Sequence, residues 1–600
     1  MVFPTLSHSI FRRVVVGMVT STVLCVISAG ATMQSDPTAR DKARRRIAQK
    51  TGEQAGEGSP VKSRRPLARI SGRPSDKSNA QLASLESSKI DARLDKEIEK
   101  AGREQAPKTE DGDFLRRVCL DLTGKLPAPD KLDAFLRDPD PSKRARVIDE
   151  LLNTEDYCRN WARYWRDVIA FHALDRRAVL AARNFEDWLA EQLQKNVPWD
   201  KVATELITAK GPIDEDGRTY LIFAQFDGAP ENTAGNLAAE VSRVFLGIQI
   251  QCAQCHDHPY DDWKREQFHE MAAFFARTNV RRQAQGEPRF EVIATDERSM
   301  GPAPKLRRTP LEHQMPDKDE PDRKHTVHPH FLLGQSPPQG LSDANRRALF
   351  AQFVTDRDDP WFARAYVNRI WGELMGEGFY QPIDDLGPRR NSRYPAVMEQ
   401  LASSWQASGY DPKWLLRVIM NTEAYQREIR PRDPSAEHTP FAAVCASRLS
   451  GDQIYDALIQ ALGIDERAIS RGAAAAGPQP KRLGAFSPRT LFNTQFGIDP
   501  STPIDDVQGT IPQALFMMNS PLVSSQMRAQ GDTLLGRLIS VYEDDEELVR
   551  LLYRRVLARS PSDEELRTCK AYIEEVGRRG EAFEDLLWSL VNSTEFITKR

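Results

Sequence analysis

The chain has 600 residues, with 83 basic and 86 acidic side chains and a formal net charge of −3. That near balance argues against a nucleic-acid binder, and the length allows two to four domains, each able to bury a core. Seven cysteines are too few for a disulfide scaffold of this size.

Residues 1–31 read as a signal peptide. Arg12 and Arg13 precede an apolar run from Val14 to Ile27, and Ala29-Gly30-Ala31 offers small residues for cleavage. The address implied is periplasmic or secreted. The run is marginal for a membrane span, so an uncleaved membrane anchor stays open. Leu24 before Cys25 spoils a lipidation site. Residues 32–80 are rich in Arg, Lys, Ser, Gly and Pro, with Arg44-Arg45-Arg46 and Arg64-Arg65-Pro66 among few apolar side chains. Such a segment buries too little surface to offset its chain entropy and is expected to be a disordered basic linker. It either is simply solvated or touches an anionic membrane or polymer surface.

Residues 81–282 read as an N-terminal helical domain. Asp113 precedes the stripe Phe114, Leu115, Val118, Cys119 and Leu122, which Gly124 and Pro127 end. Trp161 and Trp165 share one helix face and are expected in the core. Cys119 and Cys158 either pair or are two separate buried thiols. Leu237, Val241, Val244 and Phe245 stripe a helix that stops at Gly247, and Ile248 to Gln251 predicts a short extended approach. Trp263, Phe268, Met271, Phe274 and Phe275 predict another amphipathic helix.

Residues 283–340 hold many Pro, Gly, Arg and Asp residues and read as a loop-rich connection carrying His313, His325, His328 and His330. Residues 341–600 read as a C-terminal helical domain, dense in apolar faces from Leu349 onward, with a further loop expected over 472–510. Ser562 and Glu565 form a capping-box pattern near its end. The paired acids Asp384-Asp385 and Asp505-Asp506 read as solvent-facing or cap residues. The fold class is mainly α: two helical domains joined by a loop-rich segment, after a signal peptide and a disordered basic tether.

Between the two stripes of the N-terminal domain lies Cys252-Ala-Gln-Cys255-His256. C-x-x-C-H is the attachment pattern of covalent haem c, with the histidine as the proximal iron ligand. On that reading Cys252 and Cys255 are thioethers, His256 is the axial ligand, and the function is electron transfer or redox chemistry in the periplasm. Met300 or Met315 lies at a plausible distance for the distal ligand; Met271 and the histidines at 269, 313, 325, 328 and 330 remain open, as does a five-coordinate iron. A second reading is a non-haem zinc or iron site. Cys252 and Cys255 with His258 and His269 would complete a tetrahedron, and Asp257 and Asp261 offer further oxygens. Such a site would be structural or hydrolytic, with a link to extracellular polymer breakdown left open. A third is a redox dithiol or a passive disulfide, although no βαβ pattern surrounds the cysteines. No nucleotide-binding loop, nucleophile elbow or zinc-protease motif occurs.

Three N-terminal stretches, Asp113 to Gly124, Arg159 to Asp167 and Cys252 to Asp261, and three C-terminal ones, Trp361 to Trp371, Trp414 to Met420 and Pro512 to Ser520, carry a resemblance. As a set they resemble the exported two-domain proteins of unknown function abundant in Planctomycetes. In these a cytochrome-c-linked planctomycete domain precedes a planctomycete-specific C-terminal domain. The resemblance implies the two-domain order. It leaves substrate and redox partner unassigned.

Overall fold

The computed structural model describes residues 76–599, apart from 103, 175–177, 283–288, 298–311, 431–437, 466–486, 504–506 and 508. The signal peptide, most of the basic linker, Met300 and the pair Asp505-Asp506 therefore lie outside the described residues.

The fold is mainly α, with short strands between the helices. Its first described helix, Asp76–Lys100, begins inside the segment read as linker. The cause is a buried stripe, Ala83, Ile90, Leu94 and Ile98, each 0% exposed. Ser87 Oγ donates to the carbonyl of Val418 at 2.8 Å, anchoring this helix on Pro412–Met420. Helix Asp111–Thr123 ends as its sequence requires, at left-handed Gly124 (φ 69). In helix Glu155–Ala170, Thr154 caps the Tyr157 N–H at 3.2 Å, and both Trp161 and Trp165 are buried. Cys119 and Cys158 are two separate buried thiols, and no described cysteine is in a disulfide.

The apolar side chains sort into two cores, but core membership does not follow the sequence division at residue 341. One core runs from Ala83 to Val444, with Ala558 added. The other runs from Leu449 to Phe596 and takes in Leu120 and Leu126. Aromatic stacking explains the first. The Trp165 ring stacks on Tyr366 (5.6 Å, 11° between planes), and Tyr366 stacks on Trp405 (4.3 Å, 5°). A helix of the N-terminal stretch thus shares its buried face with two helices of the C-terminal stretch, Phe362–Met375 and Pro395–Ala407. Buried aromatic area of this size outweighs any local preference to separate.

The segment expected to be only loop holds strands. Phe290–Ala294 alternates buried and half-buried side chains and pairs antiparallel with Thr278–Arg282, Val292 opposite Val280. Gly211–Pro212 pairs with its other edge. His313–Pro316 and Lys324–Val327 form a hairpin with Met315 opposite His325. The expected loop over 472–510 contains helix Pro488–Phe496, capped by Ser487 on the Thr490 N–H (3.1 Å), with Phe492 and Phe496 buried one turn apart.

Asp384 does not face solvent: it is 1% exposed. Arg243 donates to it at 3.0 Å, Arg369 pairs with its other oxygen, and Ser501 Oγ donates at 2.7 Å. Two guanidinium groups compensate a carboxylate that local sequence would place in water.

Candidate functional site

Helix Pro230–Val241 continues as a wider turn, Ser242–Leu246, and stops at Gly247 in the left-handed region (φ 64). A β-carbon there would lie 2.9 Å from Leu386 Cδ1 and 3.1 Å from Ala365 Cβ, so only glycine fits. The Gly247 carbonyl accepts from the Leu386 N–H at 2.8 Å. Ile248 and Ile250 are buried while Gln249 is exposed, but Ile250 already lies in the right-handed helical region (φ −91, ψ −1) and Gln251 opens the next turn, so the second half of the stretch expected to be extended is not. A short 3₁₀ turn follows, Gln251–Gln254, pinned by Ala253 at 0% exposure. Burying that one methyl turns the flanking side chains outward. Cys252, Cys255 and His256 are all exposed.

The tail of the motif is fastened on two sides. Asp257 accepts from the Arg265 N–H and from Lys264 Nζ, both at 3.1 Å, and these donors hold its carboxyl below the usual range. Asp261 is 5% exposed and accepts from its neighbour Asp262 N–H at 2.8 Å and from Arg389 N–H at 3.3 Å. Any side chain at Gly387 would run into its carboxylate. The motif turn is thereby docked on the loop that carries Asp384.

Hydrogen bonding assigns a role to each imidazole. His256 Nδ1 lies 2.7 Å from the carbonyl of Asp257, an acceptor only, so Nδ1 carries the proton and Nε2 is left with its lone pair. His258 is the reverse: its Nδ1 accepts from the Tyr260 N–H at 3.2 Å, which puts the proton of the neutral ring on Nε2. His269 is engaged at both nitrogens, donating from Nε2 to the carbonyl of Gln254 (3.1 Å) and accepting at Nδ1 from His313 Nε2 (2.8 Å). Burial pushes His269 down to about 4. Burial, and then the neighbouring His269, push His313 to about 4 as well.

The non-haem tetrahedron is therefore not assembled. The ligand atoms of Cys252, Cys255, His258 and His269 do not form a group within 4.8 Å of one another. His258 presents a proton rather than a lone pair, and His269 has no free nitrogen. Met271 is fully buried in the core. His325 pairs with Asp317 at 2.8 Å, His330 with Ser336 at 2.6 Å, and His328 is exposed. Met315 is half-buried, two residues along the strand from His313 and on the same strand face. The chain Gln254–His269–His313 ties its hairpin to the motif turn.

A cavity of about 120 Å³ went unsuspected in the sequence. It lies among Asp121, Trp161, Asp167, Glu373, Gln381 and Asp452. Trp161 Nε1 and Gln381 Oε1 are buried without hydrogen-bond partners. Arg166 binds Asp167, Glu186 and Asp452, each at 2.6 Å. Burial raises the Asp167 carboxyl against the pull of Arg166, with the Asp452 carboxylate adding to the rise. Its walls come from stretches far apart in the chain, so no spacing could announce it.

Fold and turn together define a mainly helical two-domain protein that presents an exposed C-x-x-C-H turn. Residues 89–280 match PSCyt2, a protein of unknown function (DUF1549), and residues 346–485 and 494–573 match PSD1, a protein of unknown function (DUF1553). The two matches together cover more than half of the chain, and the protein belongs to the family that joins these domains in this order. No curated protein and no solved structure matches it. Among the described residues no helix is long and apolar enough to cross a membrane.

Proposed function

We propose that the protein is exported and carries one haem c, bonded through Cys252 and Cys255 with His256 as the proximal ligand, and that it transfers electrons outside the cytoplasm. The observation that carries this reading is the Nδ1–H bond from His256 to the Asp257 carbonyl, which leaves Nε2 as the only basic nitrogen of the ring. A haem-ligating imidazole needs that tautomer. Two exposed thiols outside any disulfide add to the support. Attachment requires each thiol to add across one vinyl group. A sulfur–carbon bond forms, the thiol proton ends on the neighbouring carbon, and no oxidant is consumed.

Haem would supply a one-electron redox couple at this turn. The chain supplies orientation: Asp257 fixes the ring of His256, and Asp261 fixes the turn against the second family domain. Met315 serves the distal side on this reading, supported by the tie between its hairpin and the turn through His313 and His269. Residues 1–31 supply the export signal. The basic stretch at Arg44 to Arg46 and Arg64-Arg65 supplies contact with an anionic surface.

The test is maturation of the full chain in a host with the haem-attachment machinery. The expected result is a pigment that survives denaturing electrophoresis and gives a sharp reduced α-band. A colourless product from a competent host overturns the reading, and zinc bound through Cys252 and Cys255 would replace it with the non-haem one.

A further inference from the structure

A second cluster of ligand-type side chains lies away from the C-x-x-C-H turn. Glu377 follows left-handed Gly376 (φ 79) at the end of helix Phe362–Met375 and is 1% exposed. His438 Nε2 donates to its two oxygens at 2.8 and 3.0 Å. The Phe441 N–H donates to Oε1 at 3.1 Å, and Arg393 Nη1 donates to Oε2 at 2.7 Å. Cys445, 5% exposed, sits in strand Val444–Cys445. A carboxylate oxygen of Glu377, a ring nitrogen of His438 and Sγ of Cys445 lie within 4.8 Å of one another. Among the described residues no other group of three or more His, Cys, Asp or Glu side chains does so.

Two features separate this cluster from an ordinary ion pair. The first is the donor set. Sulfur, imidazole nitrogen and carboxylate oxygen converging from the end of a helix and the stretch 438–445 are what a borderline-soft divalent cation binds. The second is burial: the Glu377 carboxylate is 1% exposed, with Oε1 facing His438 Nε2 and the Phe441 N–H while Oε2 is held by Arg393. The backbone around it is held away from its relaxed state: bulky Tyr394 and Phe441 both adopt left-handed φ (45 and 63), with rings 5.6 Å apart.

We propose that Glu377, His438 and Cys445 bind one zinc ion through a carboxylate oxygen, Nε2 and Sγ, with water as the fourth ligand. On binding, the thiol proton leaves to solvent and the Nε2 proton moves to Nδ1 or to solvent. No electron is exchanged. The His438 side chain is 24% exposed, which gives the ion a way in and the water a place. Arg393 stays on the outer carboxylate oxygen as a partner that orients the ligand. The ion would clip the segment from His438 to Cys445 onto the end of helix Phe362–Met375. This site is independent of the haem reading.

The experiment uses the full chain and a C252S/C255S double variant, which removes the exposed thiols. After incubation with zinc and gel filtration, one zinc per chain is expected in both. Cobalt(II) in the double variant is expected to give a thiolate-to-metal charge-transfer band that a further C445S or H438Q change removes. C445S and H438Q are expected to lose most of the zinc. Absence of both retained zinc and the cobalt band from a double variant with native helical circular dichroism overturns the proposal. So does full zinc retention in C445S. If C445S fails to fold, the cobalt band of the double variant decides alone.

Discussion

His269 Nδ1 and His313 Nε2 lie 2.8 Å apart with ring centroids at 5.1 Å, and this pair couples the hairpin His313–Pro316 to the turn that carries Cys252 and Cys255. The bond needs a neutral His269, because its Nδ1 must accept while its Nε2 donates to Gln254. Both pKa values are lowered from 6.5 to about 4. Between those values the unfolded chain binds more protons than the folded one, so this contribution to stability is whole above about pH 6.5 and shrinks as pH falls towards 4. The pair is expected to cost on the order of 3–7 kcal/mol across that window, the lower figure being that of one ring alone. Denaturant titrations at several pH values check this, with H313Q expected to show a shallower pH slope than the wild type.

Exchanging one imidazole for another should separate the two candidate ligands. His256→Ala is expected to abolish the six-coordinate or five-coordinate haem spectrum, because it removes the nitrogen with a free lone pair. His258→Ala is expected to retain it. Reduced-minus-oxidised spectra of matured protein are the measurement, and equal loss in both variants would refute the tautomer argument.

If Met315 serves the distal side, Met315→Ala should leave the covalent pigment in place. It should change the spin state of the iron and lower its potential, since a thioether ligand favours the reduced form. An unaltered potential in redox titration would remove Met315 from consideration.

Gly247→Ala places a β-carbon against Leu386 and Ala365 at a residue with φ 64. A loss of about 1–3 kcal/mol is expected from backbone strain and the clash together. Urea denaturation measures it. An alanine variant as stable as the parent would show that the connection between the motif and the loop at Leu386 yields freely.

Asp384→Ala leaves Arg243 and Arg369 buried, each 8% exposed or less as side chains, without their shared carboxylate. Breaking a buried pair in this way costs about 3–5 kcal/mol. The same denaturation experiment applies, and a change under about 1 kcal/mol would mean that water reaches these groups.

The shared core bears on where the chain can be cut. Trp165, Tyr366 and Trp405 stack across the two family domains, so a fragment ending at residue 340 would expose the face of helix Glu155–Ala170 that Tyr366 covers. Such a fragment is expected to lose cooperative unfolding and to bind hydrophobic dyes, whereas the full chain does not. A cooperatively folded fragment would contradict the description of a core shared across the two family domains.

Much of this protein was legible along the chain. The helical stripe at Phe114 to Leu122, the stops at Gly124 and Gly247 and the buried faces of Trp161 and Trp165 follow from periods of a few residues and from the chemistry of single side chains. Local backbone geometry decides these features, and local geometry is written in adjacent residues. Phe290-Glu-Val-Ile-Ala294 was just as legible as an alternating strand, but the Pro and Gly residues around it masked the signal.

Folding alone decided the rest. Nothing near Asp384 in sequence supplies Arg243, nothing near His269 supplies His313, and the bond that fixes the tautomer of His256 depends on how its turn closes. The buried charge at Asp384, the His269–His313 pair and the shared core are set by partners tens to hundreds of residues apart. Only the closed tertiary structure brings those groups within the few ångströms over which hydrogen bonds and desolvation act.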